Sequence, residues 1–324
     1  MKSLKCMLGL VLLSTLPWAA QAQPSYPGDK PVKLILPFIP GGSADFAARL
    51  LAEKLKARTG GQFLVENKPG AAANLATAYV ARAPADGYTI LVGVSGALTV
   101  NPTLYKNPGF DSLKDFEPIT MLAQGPVVVV AGTHTGINTL DDLVNKAKAN
   151  PQGLNAASIG AGTSHYLASE MFQNRAGFKM NTVHYKGTPD AMQDVIGGRV
   201  DAGFLDLAGS LPFIKGGRVK ALATTGTTRS SALPEVPTIA EAGYPGYQAP
   251  TWIAILAPAG TPTDRADFLR TNIQAVLEDP DYQARLGGQG LQAWAMPGQS
   301  LLDFMKEEIE KWKPVIKESG IKVE

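Results

Sequence analysis

Cysteine is almost missing from this sequence: among 324 residues there is one, Cys6. A disulfide within the chain is therefore excluded, and so is a zinc site built on paired thiolates. Histidine is nearly as scarce. His134, His165 and His184 are the only three, no H-E-x-x-H occurs, and no His, Cys, Asp or Glu set has metal-ligand spacing. Nothing here requires a metal or another cofactor. An excess of one charge is missing too, since 30 Lys and Arg stand against 28 Asp and Glu. A chain so balanced, without a basic run, is not a general nucleic-acid binder. Beyond the N-terminal segment no apolar run is long enough to span a bilayer. The catalytic fragments are incomplete. Gly93-Val94-Ser95-Gly96-Ala97 lacks the last glycine of a nucleophile elbow. Gly160-Ala161-Gly162-Thr163-Ser164-His165 has His165 where a dinucleotide loop needs its third glycine.

What is present begins with an export signal. Lys2 and Lys5 form a positive start, Cys6 to Leu16 is apolar, and Pro17 breaks the run. Ala20-Gln21-Ala22 has the small-x-small form of a cleavage site, so cleavage is expected after Ala22, with export to the periplasm. Removing residues 1–22 takes away two Lys and no acid, which brings the formal charge from +2 to zero, and it also removes Cys6. The remaining chain of roughly 300 residues is long enough for two domains.

Along the chain, short apolar runs alternate with amphipathic ones. Val32 to Phe38, Phe63 to Asn67 and Thr89 to Val94 read as strands, separated by a helix over Phe46 to Ala57 and one ending near Ala83. This β-α-β-α-β order predicts a parallel sheet covered by helices. A second set begins near Pro118: strands at Val127 to Ala131, Asn155 to Ile159, Thr182 to Tyr185, Ala202 to Leu205 and Ala221 to Thr224. Helices are predicted from Thr139 to Ala149, His165 to Ala176 and Pro189 to Gly197. The C-terminal part adds a strand at Ile253 to Leu256 and helices over Asp264 to Leu277 and Leu301 to Lys317. Phe304, Ile309, Trp312 and Ile316 form the core stripe of the last helix, which Pro314 should kink or shorten.

Two turns share one design. Gly41-Gly42-Ser43 and Gly162-Thr163-Ser164 each join a buried strand to a helix start. Unpaired N–H groups and partial positive charge at a helix N-terminus bind an anion without Arg or Lys. Glycine allows close approach, and the hydroxyls of Ser43, Thr163 and Ser164 can donate to a carboxylate. The plainer reading is that each turn only caps its helix. Other strand-end residues carry two readings as well. Asp45 complements the helix dipole or orients the loop. His165 is a polar surface residue or a ligand donor, and Lys186 a solvated lysine or a counter-charge. Tyr185 and Asp206 close two further strands. An exported hydrolase using Ser95 or Ser164 needs a base beside its serine, and His165, next to Ser164 along a helix, does not face it.

These segments carry a resemblance. Pro37-Phe38-Ile39-Pro40-Gly41-Gly42-Ser43-Ala44-Asp45, Val65-Glu66-Asn67-Lys68-Pro69-Gly70-Ala71 and Ala85-Asp86-Gly87-Tyr88-Thr89 come first. Asp115 to Ile119, Ser164 to Glu170, Tyr185-Lys186-Gly187, Gly197 to Asp201, Leu233 to Thr238 and Ala257 to Pro262 follow in order. The ordered set resembles the tripartite tricarboxylate transporter receptor family, also called the Bug family, of periplasmic solute-binding proteins. The resemblance implies an α/β fold: a type II-like, two-domain flytrap, each domain a mostly parallel sheet flanked by helices. Domain 1 would take residues 24–123 plus 246–324, and domain 2 residues 124–245. It implies a receptor without catalytic residues, which binds a small carboxylate, acts as a monomer and delivers its ligand to membrane transporter subunits. A sensor for a membrane signalling protein would use the same surface. The expected ligand-facing residues are Phe38, Gly41, Gly42, Ser43, Ala44, Asp45, Ser95, Gly162, Thr163, Ser164, His165, Tyr185, Lys186 and Asp206.

Two departures from the family stand out. Ala71-Ala72-Ala73-Asn74-Leu75-Ala76 replaces a stretch usually rich in glycine, and its alanine methyls would line an apolar slot suited to an aromatic acid such as phthalate or terephthalate. Leu205-Asp206-Leu207-Ala208-Gly209 replaces a version that usually contains Asn.

Overall fold

The computed structural model describes residues 26–150, 152–319 and 321. The expected signal peptide, its cleavage site and Cys6 lie outside the described residues.

The chain runs β1 (Val32–Leu36), α1 (Ser43–Thr59), β2 (Phe63–Asn67), α2 (Asn74–Ala81), β3 (Thr89–Val94), α3 (Asn101–Leu104) and β4 (Phe116–Gly125). It continues through β5 (Val127–Gly132), α4 (Leu140–Ala149), β6 (Leu154–Ser158), α5 (Ser164–Ala176), β7 (Met180–His184), α6 (Thr188–Ile196), β8 (Ala202–Asp206), α7 (Leu207–Lys215) and β9 (Val219–Thr224). It ends with β10 (Thr251–Pro258), α8 (Thr263–Leu277), α9 (Pro280–Gly287), β11 (Gln292–Ala293) and α10 (Gly298–Ser319).

Two sheets result. The first has the order β11-β4-β10-β3-β1-β2 and the second β7-β6-β8-β5-β9. The α/β architecture with helix-flanked sheets is as expected, but the sheets are mixed rather than mostly parallel. β1 is parallel to β2 and β3, and β6 to β7 and β8. The remaining pairs are antiparallel. The cause is the path of the chain. β4 leaves the first sheet and enters the second as β5 after a single residue, Pro126. The chain comes back as β10, which inserts between β3 and β4 antiparallel to both.

Both sheets are buried on both faces, which explains their nearly continuous apolar strands. Val32, Leu34 and Leu36 face a core with α1 and α8, whereas Ile35 and Leu91 face one with α2 and the start of α10. In the second sheet Val127 and Val129 pack toward α4 and α5, and Val128 and Val130 toward α6 and α7. Local signals set the helix ends. Thr139 and Asp142 form a capping box on α4, and Gly60 and Gly177 close α1 and α5 in left-handed conformation. α10 continues to Ser319, so Pro314 does not end it. Its Leu301 and Met305 pack in the first sheet's core, and Trp312 and Ile316 in the second's.

Candidate functional site

The strand ends converge. β1 leads to Phe38, β3 to Ser95, β6 to Gly160–Thr163 and β8 to Asp206, all at carboxyl ends, where open α/β sheets place their ligands. A narrow cavity lies between the two sheets at this edge, with about 500 Å³ of empty space counted out to its mouth and about 30 Å³ open to the centre of a water molecule. From the first sheet it is walled by Phe38, Ile39, Gly42 to Asp45, Ala72, Val94 to Ala97 and Thr251 to Ile253; from the second by Thr163 to His165 and Asp206.

The first turn is shaped by Asp45. α1 begins at Ser43, earlier than the sequence suggested, so Asp45 falls in its first turn. Its carboxylate accepts from the Gly41 N–H at 3.1 Å, from Arg49 Nε at 3.0 Å and from Asn67 Nδ2 at 3.2 Å. Asn67 Nδ2 also donates to the Phe38 carbonyl at 2.8 Å. Asp45 therefore holds the loop while also standing as the acid in the first turn of α1, and Arg49 balances its charge. Gly42 is the helix cap and has no side chain to occupy the first-turn N–H groups. Gly41 takes φ 104°, a left-handed value that favours glycine.

The second turn differs. The Thr163 hydroxyl donates to the Gly160 carbonyl at 2.7 Å and accepts from the Tyr166 N–H at 3.3 Å. It caps α5, and the plainer reading holds for that hydroxyl. Ser164 instead reaches across: its Oγ lies 2.6 Å from Ser95 Oγ, a buried hydrogen bond between the two sheets' edges.

Asp206 and His165 form the buried ionisable pair of the wall. His165 Nε2 lies 3.2 Å from Asp206 Oδ1, and Thr188 Oγ1 donates to Asp206 Oδ2 at 3.0 Å. Burial alone would push the Asp206 carboxyl up, but His165, Thr188 and Ser43 together hold it below its ordinary value. Asp206 also lies against the first turn, where a Cβ on Gly42 would come within 3.0 Å of its Oδ2.

Four expected residues are not part of the cavity wall. Gly41 faces the neighbouring surface groove around Arg49 and Glu53. Gly162 packs against Asn101 and Tyr105, where a Cβ would fall 2.1 Å from Asn101 Oδ1. Tyr185 donates its hydroxyl to Asp194 at 2.8 Å, and burial, reinforced by this bond, pushes its pKa up to about 12. Lys186 is exposed in the turn before α6, and no lysine or arginine lines the cavity. Of the four alanines expected along an apolar slot, Ala71, Ala72, Ala73 and Ala76, only Ala72 reaches the wall.

Other contributors escaped the sequence reading. Asn67 holds the loop, and Trp252 supplies apolar wall together with a buried indole N–H that has no partner. Asn67 lies in the Val65–Ala71 stretch that carries the resemblance, although its role there was not read, whereas Trp252 is a single residue within an ordinary strand. No serine base is assembled either, because Ser95 pairs with Ser164 while His165 pairs with Asp206. Among the described residues no His, Cys, Asp and Glu cluster could hold a metal ion.

Known proteins are similar to this chain over most of its length. A solved structure titled "R. palustris Rpa4515 with adipate" is 33% identical, covers 92% of this chain and 99% of its own, and superposes with a TM-score of 0.88. The periplasmic binding protein BugD is 35% identical, covers 90% of this chain and 98% of its own, and has a TM-score of 0.85. MatC of Rhodopseudomonas palustris, solved with bound malate, is 29% identical, covers 88% and 98%, and has a TM-score of 0.82. The sequence profile described as "Tripartite tricarboxylate transporter family receptor" matches residues 47–321. The chain belongs to that family, the tripartite tricarboxylate transporter receptors, whose Bug members are periplasmic solute-binding proteins.

Proposed function

We propose that this chain captures a small carboxylate in the periplasm and passes it to the subunits of a tripartite tricarboxylate-type membrane transporter. In this reading it is exported, cleaved after Ala22 and acts as a monomer without enzymatic activity. Two lobes, residues 24–123 plus 246–324 and residues 124–245, close over the ligand.

One observation carries the reading: the cavity at the sheets' carboxyl edges joins the uncapped N-terminus of α1 to the start of α5. Backbone N–H groups and the one hydroxyl proton that the Ser95–Ser164 pair does not use internally suit a carboxylate where no Lys or Arg is at hand. Adipate in Rpa4515 and malate in MatC support the same ligand class. Phe38, Ile39, Ala72 and Trp252 supply an apolar wall on which a compact or aromatic body can lie, so phthalate and terephthalate belong among the candidates.

The test is a thermal-shift screen of mature protein, unfolded and refolded to strip co-purified ligand. The panel spans aromatic acids, citrate-type acids, small dicarboxylates and amino acids. A ligand at about a thousand times its dissociation constant adds ~4 kcal/mol of stability, and the midpoint should rise by several degrees. A panel that leaves the midpoint unmoved sinks the carboxylate reading.

A further inference from the structure

Asp206 is an unusual wall for a carboxylate site. Its side chain is 12% exposed, and among the described residues its ionic partner is His165 and no lysine or arginine. The other carboxylate of the wall, Asp45, is balanced by Arg49. Asp206 therefore brings a negative charge into a cavity whose lining holds no lysine or arginine.

Its place sharpens the point. Asp206 Oδ2 sits against Gly42, and Ser43 faces the same carboxylate, so the protein already supplies an anion at the N-terminus of α1. A carboxylate accepts and never donates, with room for about four hydrogen bonds. Thr188 and His165 supply two hydrogen bonds, and Ser43 faces the same carboxylate. Acceptor capacity then remains for the ligand.

We propose that Asp206 selects the end of the ligand that it faces, accepting a hydrogen bond from a hydroxyl or amino group there, so that the favoured ligand is a monocarboxylate with a donor at its other end. The ligand's own carboxylate goes to the start of α5 and the Ser95–Ser164 pair. A second ligand carboxylate would meet Asp206 at short range in a desolvated site, where like charges repel strongly. The proposal rests on the carboxylate reading above and narrows it, from acids in general to acids with one neutral or cationic end.

Calorimetric titration of refolded protein with matched pairs tests it. Adipate is set against ω-hydroxyhexanoate and ω-aminohexanoate, and terephthalate against para-hydroxybenzoate. The donor-ended member of a pair should bind about tenfold or more tightly than the dicarboxylate. Asp206→Asn removes the charge and should reduce or reverse that preference. A dicarboxylate that binds wild-type protein at least as tightly as its donor-ended partner overturns this proposal and leaves the carboxylate reading standing. Failure of every member of every pair to bind overturns this proposal, and the full panel above then decides the carboxylate reading. The wild-type ratio decides the matter even if Asp206→Asn does not fold.

Discussion

Ala71, Ala72 and Ala73 hold φ values of 47°, 48° and 78°, three successive left-handed residues without a glycine among them. An L-residue in that region costs ~1–2 kcal/mol because Cβ crowds the following carbonyl. The surroundings impose the shape: Asn101 Nδ2 donates to the Ala72 carbonyl at 3.0 Å, and the Ala73 N–H to the Gly70 carbonyl at 3.1 Å. Ala71 is exposed and lies outside the cavity wall, so Ala71→Gly relieves strain without loss of burial. Glycine's greater freedom in the unfolded chain returns part of the gain. A net stabilisation of about 0.5–1 kcal/mol is expected by urea denaturation, with ligand affinity unchanged; a destabilised variant would place the strain elsewhere. Asp206 gives a second prediction at this scale. Its folded pKa lies below its unfolded one, so its contribution is full above the unfolded value, near pH 4, and fades as pH falls through the folded value. Asp206→Asn should therefore lose stability less steeply than wild type below about pH 4. Parallel curves would show that the carboxylate makes no such contribution.

Elements were legible in the sequence where burial on both faces made strands continuously apolar. β1, β3, β5 and β8 read plainly for that reason. β4 did not, because Glu117, Pro118, Thr120 and Gln124 interrupt its apolar residues. α7 was hidden by Gly209 and Pro212, both poor helix formers in the interior of a helix. The antiparallel placing of β10 follows from the chain's return, which no local window records. The crossings between sheets are knit together by one buried residue. Thr225 donates its N–H to the Val127 carbonyl at 3.0 Å, while its hydroxyl accepts from the Val127 N–H at 2.9 Å and donates to the Ala249 carbonyl at 2.9 Å. It thus ties the outgoing strand β5 to the segment that leads back into β10. Thr225→Val keeps the shape and removes the hydroxyl, leaving a buried N–H and a carbonyl without that partner. A loss of about 1–3 kcal/mol is expected in chemical denaturation. A neutral substitution would mean that the crossing is held by its strands alone.

At the scale of the molecule, the site exists because two sheets meet, and this was the part least open to sequence reasoning. The two glycine turns could be picked out, each at its strand end. That Gly42 would face Asp206 and Ser95 would meet Ser164 depends on residues far apart in sequence. At Gly96 the approach is backbone on backbone. A Cβ on Gly96 would lie 2.7 Å from the Gly162 carbonyl oxygen and 2.9 Å from the Ser164 nitrogen. Contacts that short require movement, and backbone atoms on both sides cannot turn aside as a flexible side chain would. Gly96 is also free of any left-handed φ, so alanine is compatible with its own backbone. Gly96→Ala should accordingly leave each sheet folded, with far-ultraviolet circular dichroism unchanged, yet keep the two edges from meeting. In the flytrap reading the ligand binds by drawing those edges together, so its affinity should fall about tenfold or more. Small-angle scattering with saturating ligand should give a larger radius of gyration for the variant than for wild type. A Gly96→Ala protein that binds normally and compacts to the wild-type radius would show that capture does not need this contact, and the two-lobed closure would have to be abandoned.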